Sequence, residues 1–267
     1  MPLLNLALLA LIQGITEFLP ISSSGHLILF PALTGEADQG LAIDVAVHVG
    51  TLGAVVLYFR RDVAAVARGA GLWLRGRREA PEARLALLLG LATLPLIAVG
   101  ALAALTGLDA AFRSVAVIGW TTLLWGAALG LADRFGPRRR VFSDWRLPDA
   151  VVMGLAQALA IVPGTSRSGI TMTAARLLGF ERVDAARLSL LMSIPAILAA
   201  GGWLGLDLLR SGDLALGRDA ALAAALAFVS ALVAVAALMR MLAVWTMTPF
   251  VIYRLVLGVA LLWIAYG

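Results

Sequence analysis

The chain has 267 residues, 61% of them hydrophobic and only 14% charged, with 21 basic residues, 16 acidic ones and a formal net charge of +5. Soluble domains average about 45–50% apolar and about 25% charged, so this composition and a mean hydropathy of +0.96 exclude an ordinary soluble domain. No cysteine is present, which excludes disulfides, thiol nucleophiles and cysteine-held metals, and two histidines leave little room for zinc.

All the basic residues are Arg, and their clustering in connections explains the high pI without nucleic acid as a partner. The composition and apolar runs predict an all-α polytopic membrane protein. The start of the chain lacks a basic region, and Gln13 and Glu17 arrive early, so no cleavable signal peptide is expected.

In chain order, the first segment (1–33) contains the polar stretch QGITEFLPISSSGH, Gln13–His26. Apolar runs near the ~20 residues a bilayer span needs follow at Leu41–Phe59, Leu85–Leu105 and Val115–Ala132. A second polar stretch, QALAIVPGTSRSGIT, lies at Gln157–Thr171 within segment 148–184. Three more runs follow it: Leu188–Leu206, Ala220–Leu238 and Met247–Ile264.

Residues 60–84 and 133–146 are Arg-rich connections, placed in the cytoplasm by the positive-inside rule. Parity then puts sixteen of the 21 Arg inside and three outside, with Arg167 and Arg254 within membrane segments. The two polar stretches fit as re-entrant helix–loop–helix hairpins, broken at Pro20 and at Pro163–Gly164. Such breaks are tolerated where backbone lines a cavity or is buried in protein.

The layout repeats. At an offset of 144, Gln13, Ser22, Ser24 and Gly25 fall on Gln157, Ser166, Ser168 and Gly169. Each half, 1–132 and 147–267, is one hairpin plus three transmembrane helices; an odd number of spans inverts the second half. Inverted repeats with broken helices place polar sites near the midplane.

Ionisable groups at membrane depth are expensive and point to function. Gln13 and Glu17 are four apart and share a helix face. One carboxylate suits a divalent cation shared with a phosphate better than an all-protein cage. Ser22, Ser23, Ser24 and Gly25 can wrap hydroxyls and N–H groups around an anion, and His26 can serve as acid, base or nucleophile. Thr165, Ser166, Ser168, Gly169 and Thr171 surround Arg167, whose planar fork suits bidentate phosphate contact. Asp44 and His48 read as a packing or interface pair, and Arg254 as half of a structural pair.

TEFLPISSSGH and PGTSRSG, in this order, resemble the two signature motifs of the bacterial undecaprenyl-diphosphate phosphatases of the bacitracin-resistance type. DVAVHVGT (44–51), SIPA (193–196) and YRLVLG (253–258) extend the resemblance over nearly the whole chain. It implies a multi-pass protein of the bacterial inner membrane that hydrolyses undecaprenyl diphosphate to the monophosphate, recycling the carrier for peptidoglycan synthesis. Bacitracin resistance would follow from competition for the lipid diphosphate.

The resemblance further implies Glu17, Ser23, His26 and Arg167 as catalytic residues. Ser22, Ser24, Thr165, Ser166, Ser168, Gly169 and Thr171 lie beside the substrate, and Gln13 matches a position that admits Glu or Gln. It also implies a divalent cation (Mg2+ or Ca2+), held by Glu17 and Gln13, and a site opening to the periplasm.

The residues leave a serine nucleophile, direct attack by His26 and attack by water all open. A transporter or flippase of a polyprenyl phosphate lipid is the alternative function, and oligomeric state, including a homodimer, is left open. Type 2 phosphatidate phosphatases are excluded: their first motif needs Lys, which this chain lacks, and their third needs a His soon after the SR pair.

Overall fold

A computed structural model describes residues 2–34, 40–108, 112–211 and 214–267, without the side chains of 24, 28, 31–34, 41, 200–211 and 214–216. Eleven α-helices are named here among the described residues. They are α1 (Leu3–Thr16), α2 (Ser23–Thr34), α3 (Leu41–Tyr58), α4 (Arg60–Leu74), α5 (Pro81–Thr106), α6 (Val115–Phe135), α7 (Leu147–Ala158), α8 (Arg167–Leu177), α9 (Arg182–Ser211), α10 (Leu214–Val244) and α11 (Thr248–Tyr266).

Local chemistry explains several boundaries. Ser114 caps α6 by accepting from Val117 N–H at 3.2 Å. Pro81 opens α5, and Gly107, at φ 71°, ends it. Both roles follow from the ring-fixed φ of proline and the left-handed freedom of glycine.

Among the described residues, four helices are long and apolar enough to cross a membrane: α5, α6, the Gly217–Val244 part of α10, and α11. A fifth crossing is added if α3 and α4, bent by 92° at Phe59, count as one broken span. The all-α, multi-pass expectation therefore holds. Residues 60–84 are not merely a connection, since α4 and the first turn of α5 occupy much of them. Arg is a good helix former, and α4 turns Val63 and Val66 onto the core while Arg60, Arg61 and Arg68 stay outside it.

Close helix contacts use small residues, as membrane helices do. A Cβ on Gly14 of α1 would lie 2.7 Å from Ala227 O of α10, and one on Gly50 of α3 would lie 2.1 Å from Ala224 O. Helices α1 and α3 thus pack on α10, while α6 packs on α11 and α5 on α7.

Ion pairs tie one end of the bundle together. Asp133, at the end of α6, accepts from Arg182 Nε at 2.7 Å, Arg176 Nε at 3.3 Å and Met247 N–H at 3.1 Å. One carboxylate thereby joins α6, α8, α9 and the start of α11. Arg140 forks onto Asp149 at 2.8 and 2.5 Å, a bond that raises the guanidinium above its ordinary value. Arg187 of α9 forks onto Asp62 of α4 at 3.0 and 2.5 Å. Several arginines that mark this end by charge therefore also hold it together.

Candidate active site

The chain breaks twice, and the two breaks meet. The first, residues 17–22, joins α1 to α2. The second, residues 162–166, follows a 3-10 turn at Leu159–Ile161 and leads into α8.

Ser22 (φ 81°) and Ser166 (φ 66°) are the non-glycine residues with positive φ among those described. They are also the pair that the 144-residue offset aligns. Each stands just before a helix and accepts from a glycine N–H three residues on: Gly25 N–H to Ser22 Oγ at 3.4 Å, Gly169 N–H to Ser166 Oγ at 3.1 Å. A left-handed non-glycine residue costs about 1–3 kcal/mol and persists only where its surroundings impose it. The same strained turn is therefore built in both halves.

Glu17 is the meeting point. Its carboxylate is buried; Oε2 accepts from Gln13 Nε2 at 2.9 Å and from Ser23 Oγ at 2.7 Å, and Oε1 accepts from Arg167 NH2 at 3.0 Å. His48 Nε2 lies 3.6 Å from Oε2, so this histidine, read from sequence as a packing residue, sits beside the carboxylate. Ser168 Oγ donates to Leu19 O at 2.9 Å and closes the contact between the breaks. These bonds span 149 and 150 residues of chain.

Among the described residues, three buried polar atoms here have no partner: Gln13 Oε1, Thr165 Oγ1 and Arg167 NH1. Unsatisfied buried groups are rare and costly, and these three have the chemistry of a cation ligand, a hydroxyl donor and a guanidinium donor. They are what a metal and a phosphate would satisfy. Among the described residues no three His, Cys, Asp or Glu converge. Gln13 and Glu17 thus fit a cation shared with an anionic substrate rather than a closed protein cage.

His26 is held apart from this carboxylate. Nδ1 lies 2.6 Å from Ser22 O and Nε2 lies 2.5 Å from Tyr253 Oη, with the two rings stacked at 5.8 Å and 14°. Both ring nitrogens are therefore engaged, and the bond that Ser23 Oγ donates goes to Glu17.

Among the described residues, Arg254 pairs with no carboxylate. Fully buried, it spreads its donors over backbone carbonyls: Nε to Thr122 O at 3.2 Å, NH1 to Pro20 O at 3.3 Å, and NH2 to Gly164 O and Thr165 O at 3.0 Å each. One guanidinium thus grips both breaks. Thr121 Oγ1 adds a bond to Pro163 O at 2.6 Å. Gly126 of α6 makes room for this arginine, since a Cβ there would lie 2.8 Å from Arg254 Cβ.

The other expected site residues divide. Thr165, Ser166 and Gly169 line the second break, and a Cβ on Gly169 would come 3.1 Å from both Ser166 Oγ and Arg254 NH1. Thr171 instead turns into the protein, bonded to Arg167 O at 2.8 Å and sharing a 2.7 Å hydroxyl contact with Ser189. The side chain of Ser24 lies outside the described residues. Gln157, the counterpart of Gln13, donates to Ala92 O at 3.1 Å and holds α7 to α5. Sequence reasoning assigned no role to Tyr253, although it opens the YRLVLG stretch that carries part of the resemblance.

Comparison with known proteins gives this constellation a context. The family described as bacitracin resistance protein BacA matches residues 6–260. A protein of Dinoroseobacter shibae named undecaprenyl-diphosphatase is 59% identical over the full length of both chains. One of Ruegeria pomeroyi with that name is 58% identical, again end to end. Undecaprenyl-diphosphatase 1 of Rhodospirillum rubrum is 51% identical over all of this chain and 96% of its own. A match of this extent, reaching over both breaks and the Tyr253–Arg254 pair, makes the chain a member of the bacitracin resistance protein BacA family.

Proposed function

We propose that this protein hydrolyses undecaprenyl diphosphate to undecaprenyl phosphate and inorganic phosphate in the bacterial inner membrane, returning the lipid carrier to peptidoglycan synthesis. The observation that carries this reading is the unsatisfied set beside Glu17. Gln13 and Arg167 each bond Glu17 with one polar atom and keep a second one idle, and the idle Thr165 hydroxyl stands two residues before Arg167 in the chain. Full-length relatives named for this activity support it.

In the proposed chemistry, Arg167 and the Thr165 hydroxyl receive the terminal phosphate, with Ser22, Ser166 and Ser168 shaping the backbone around it. Charge that develops on phosphoryl oxygens is stabilised by such fixed donors. Ser23 is the nucleophile that the geometry favours, because its hydroxyl already donates to Glu17 at 2.7 Å. Ser23 Oγ bonds to the terminal phosphorus as its proton passes to Glu17. The bridging P–O bond breaks and undecaprenyl monophosphate leaves. Water then hydrolyses the phosphoserine to phosphate and free Ser23. In that second step Glu17 returns its proton to Ser23 Oγ, and His26 takes the proton of the attacking water, which it supplies to the leaving group of the next turnover.

Gln13 and Glu17 would hold a divalent cation, Mg2+ or Ca2+. When bound, it neutralises charge on the diphosphate.

The finer architecture belongs to the same proposal. The matched strained serines and the meeting of two helix breaks support an inverted repeat, each half one re-entrant hairpin plus three spans. The hairpins would enter from opposite faces, with residues 60–84 and 133–146 cytoplasmic and the site open to the periplasm. Consumption of the diphosphate lipid would deprive bacitracin of its target.

The test is phosphate release from undecaprenyl diphosphate by the purified protein supplied with Mg2+ or Ca2+. Wild type should turn over, and Glu17→Ala, His26→Ala and Arg167→Ala should not. Binding of the lipid without phosphate release would instead favour a transporter.

A further inference from the structure

We infer that Tyr253 is a further catalytic residue, the phenol through which His26 exchanges its proton with the substrate. This rests on the diphosphatase reading above.

The argument begins with the imidazole. A backbone carbonyl can only accept, so Ser22 O at 2.6 Å from Nδ1 requires the proton to be on Nδ1. In the neutral ring Nε2 is then an acceptor, and the group 2.5 Å from it is the Tyr253 hydroxyl. Neither nitrogen is left to face a phosphate directly. Ring stacking at 14° holds this pair in line.

The backbone on each side is anchored. Ser22, whose carbonyl accepts the hydrogen bond from Nδ1–H, is locked in a left-handed turn at φ 81°. Arg254, next to Tyr253, is tied to Pro20, Gly164 and Thr165. Tyr253 cannot move along α11 without disturbing both breaks. It is also the outer member of the pair, 42% exposed, while His26 lies inside it.

A relay follows that conserves atoms and charge. As the water that hydrolyses the phosphoserine gives up a proton to Tyr253 Oη, the phenol's own proton passes to Nε2, giving an imidazolium that keeps its Nδ1–H on Ser22 O. In reverse, the imidazolium returns that proton to Oη as the phenol protonates the departing phosphate oxygen. The phenol is unchanged at the end, and no other reactant is needed.

The chain's two histidines make the test tractable, because 15N-labelling of histidine in the full-length detergent-solubilised protein gives two sets of ring signals. His26→Gln removes one set and so assigns it. In the wild type with the ring neutral, His26 should show a protonated Nδ1 and a hydrogen-bonded, unprotonated Nε2. Tyr253→Phe keeps the stacked ring and loses only the hydroxyl. It should shift the Nε2 resonance and lower kcat at least tenfold, with KM within about twofold, since a positioned acid or base contributes roughly 10²–10⁴-fold.

If Tyr253→Phe retains full kcat while His26→Gln is inactive, the relay is wrong and the diphosphatase reading stands. A lower kcat with an unmoved Nε2 signal also overturns the relay. If His26→Gln is itself fully active, the role given to His26 in the proposed function fails.

Discussion

Arg167 NH2 donates to Glu17 Oε1 at 3.0 Å across 150 residues of chain, while NH1 of the same guanidinium is buried with no partner among the described residues. One nitrogen is spent on holding the two breaks together and the other is left for a ligand. A buried charge pair is favourable only when its remaining donors are also satisfied, so the idle NH1 marks where an anion would sit.

Arg167→Lys tests this division. A lysine presents one point charge in place of a planar fork and cannot bond Glu17 and a phosphate in the same geometry. Steady-state phosphate release should fall about 100-fold or more, the scale of losing one preorganised donor to a developing oxyanion. Thermal unfolding should change little, because the ion pair to Glu17 can re-form. A fully active lysine variant would remove the clamp from the mechanism.

Gly164 offers a packing test at the second break. Its φ is +85°, and a Cβ there would lie 2.2 Å from Thr121 Oγ1 and 2.6 Å from Ile118 O. Gly164→Ala therefore adds left-handed strain to a clash with backbone of α6, at a cost of several kcal/mol by the usual scale of such effects. A lowered unfolding temperature in detergent, together with loss of phosphate release, is the expected result. Gly71 has open space around it and an ordinary φ, so Gly71→Ala is the matched control and should leave both measurements unchanged.

How much of this was legible beforehand depends on the kind of residue. Glu17 and Arg167 stood out because a charge inside an apolar run has no cheap explanation except a site. The Ser22–Ser166 pairing was visible in the letters at the 144-residue offset, although the left-handed turn was not, since serine rarely adopts it. Direction is what periodicity near a break cannot give. Thr171 was expected beside the substrate, yet lies one helical turn past Arg167 and faces Ser189. Tyr253 was invisible for a different reason: an aromatic in a membrane span is ordinary, and only the fold brings it to a histidine 227 residues earlier. The Arg density of residues 60–84 concealed α4, because charge was read as connection where it is one face of an amphipathic helix.

Arg254 carries a prediction about folding more than chemistry. Its donors satisfy carbonyls of Pro20, Thr122, Gly164 and Thr165 in the protein interior. Arg254→Leu would remove a donor from four buried carbonyls, of which Gly164 O keeps the Thr122 hydroxyl at 3.3 Å; each one left unsatisfied costs about 1–3 kcal/mol. Partial relaxation and water entry would reduce that sum. Thermal unfolding should drop by more than for any single substitution at Glu17, Ser23 or His26, and limited proteolysis should cut first in residues 17–22 or 162–166. Arg254→Lys should recover only part of the stability, because one ammonium cannot reach carbonyls on both breaks. An Arg254→Leu protein as stable as wild type would mean that the two breaks hold each other without it.

The cation proposal makes a prediction in charge. The site offers one carboxylate, Glu17, and one neutral oxygen, Gln13 Oε1, with Arg167 already drawing on the carboxylate. Affinity for a hard divalent cation rises with the number of charged oxygens. Chelation should abolish phosphate release, and added Mg2+ or Ca2+ should restore it. Gln13→Glu supplies a second carboxylate four residues from Glu17 on the same helix face, so the cation concentration for half-maximal activity should fall several-fold. The same variant in chelator should unfold at a lower temperature than wild type, because two buried carboxylates then face each other without a cation between them. Added cation should reverse that loss, and more strongly for Gln13→Glu than for wild type. A cation response that the substitution leaves unaltered, in both activity and unfolding, would place the metal elsewhere in the protein.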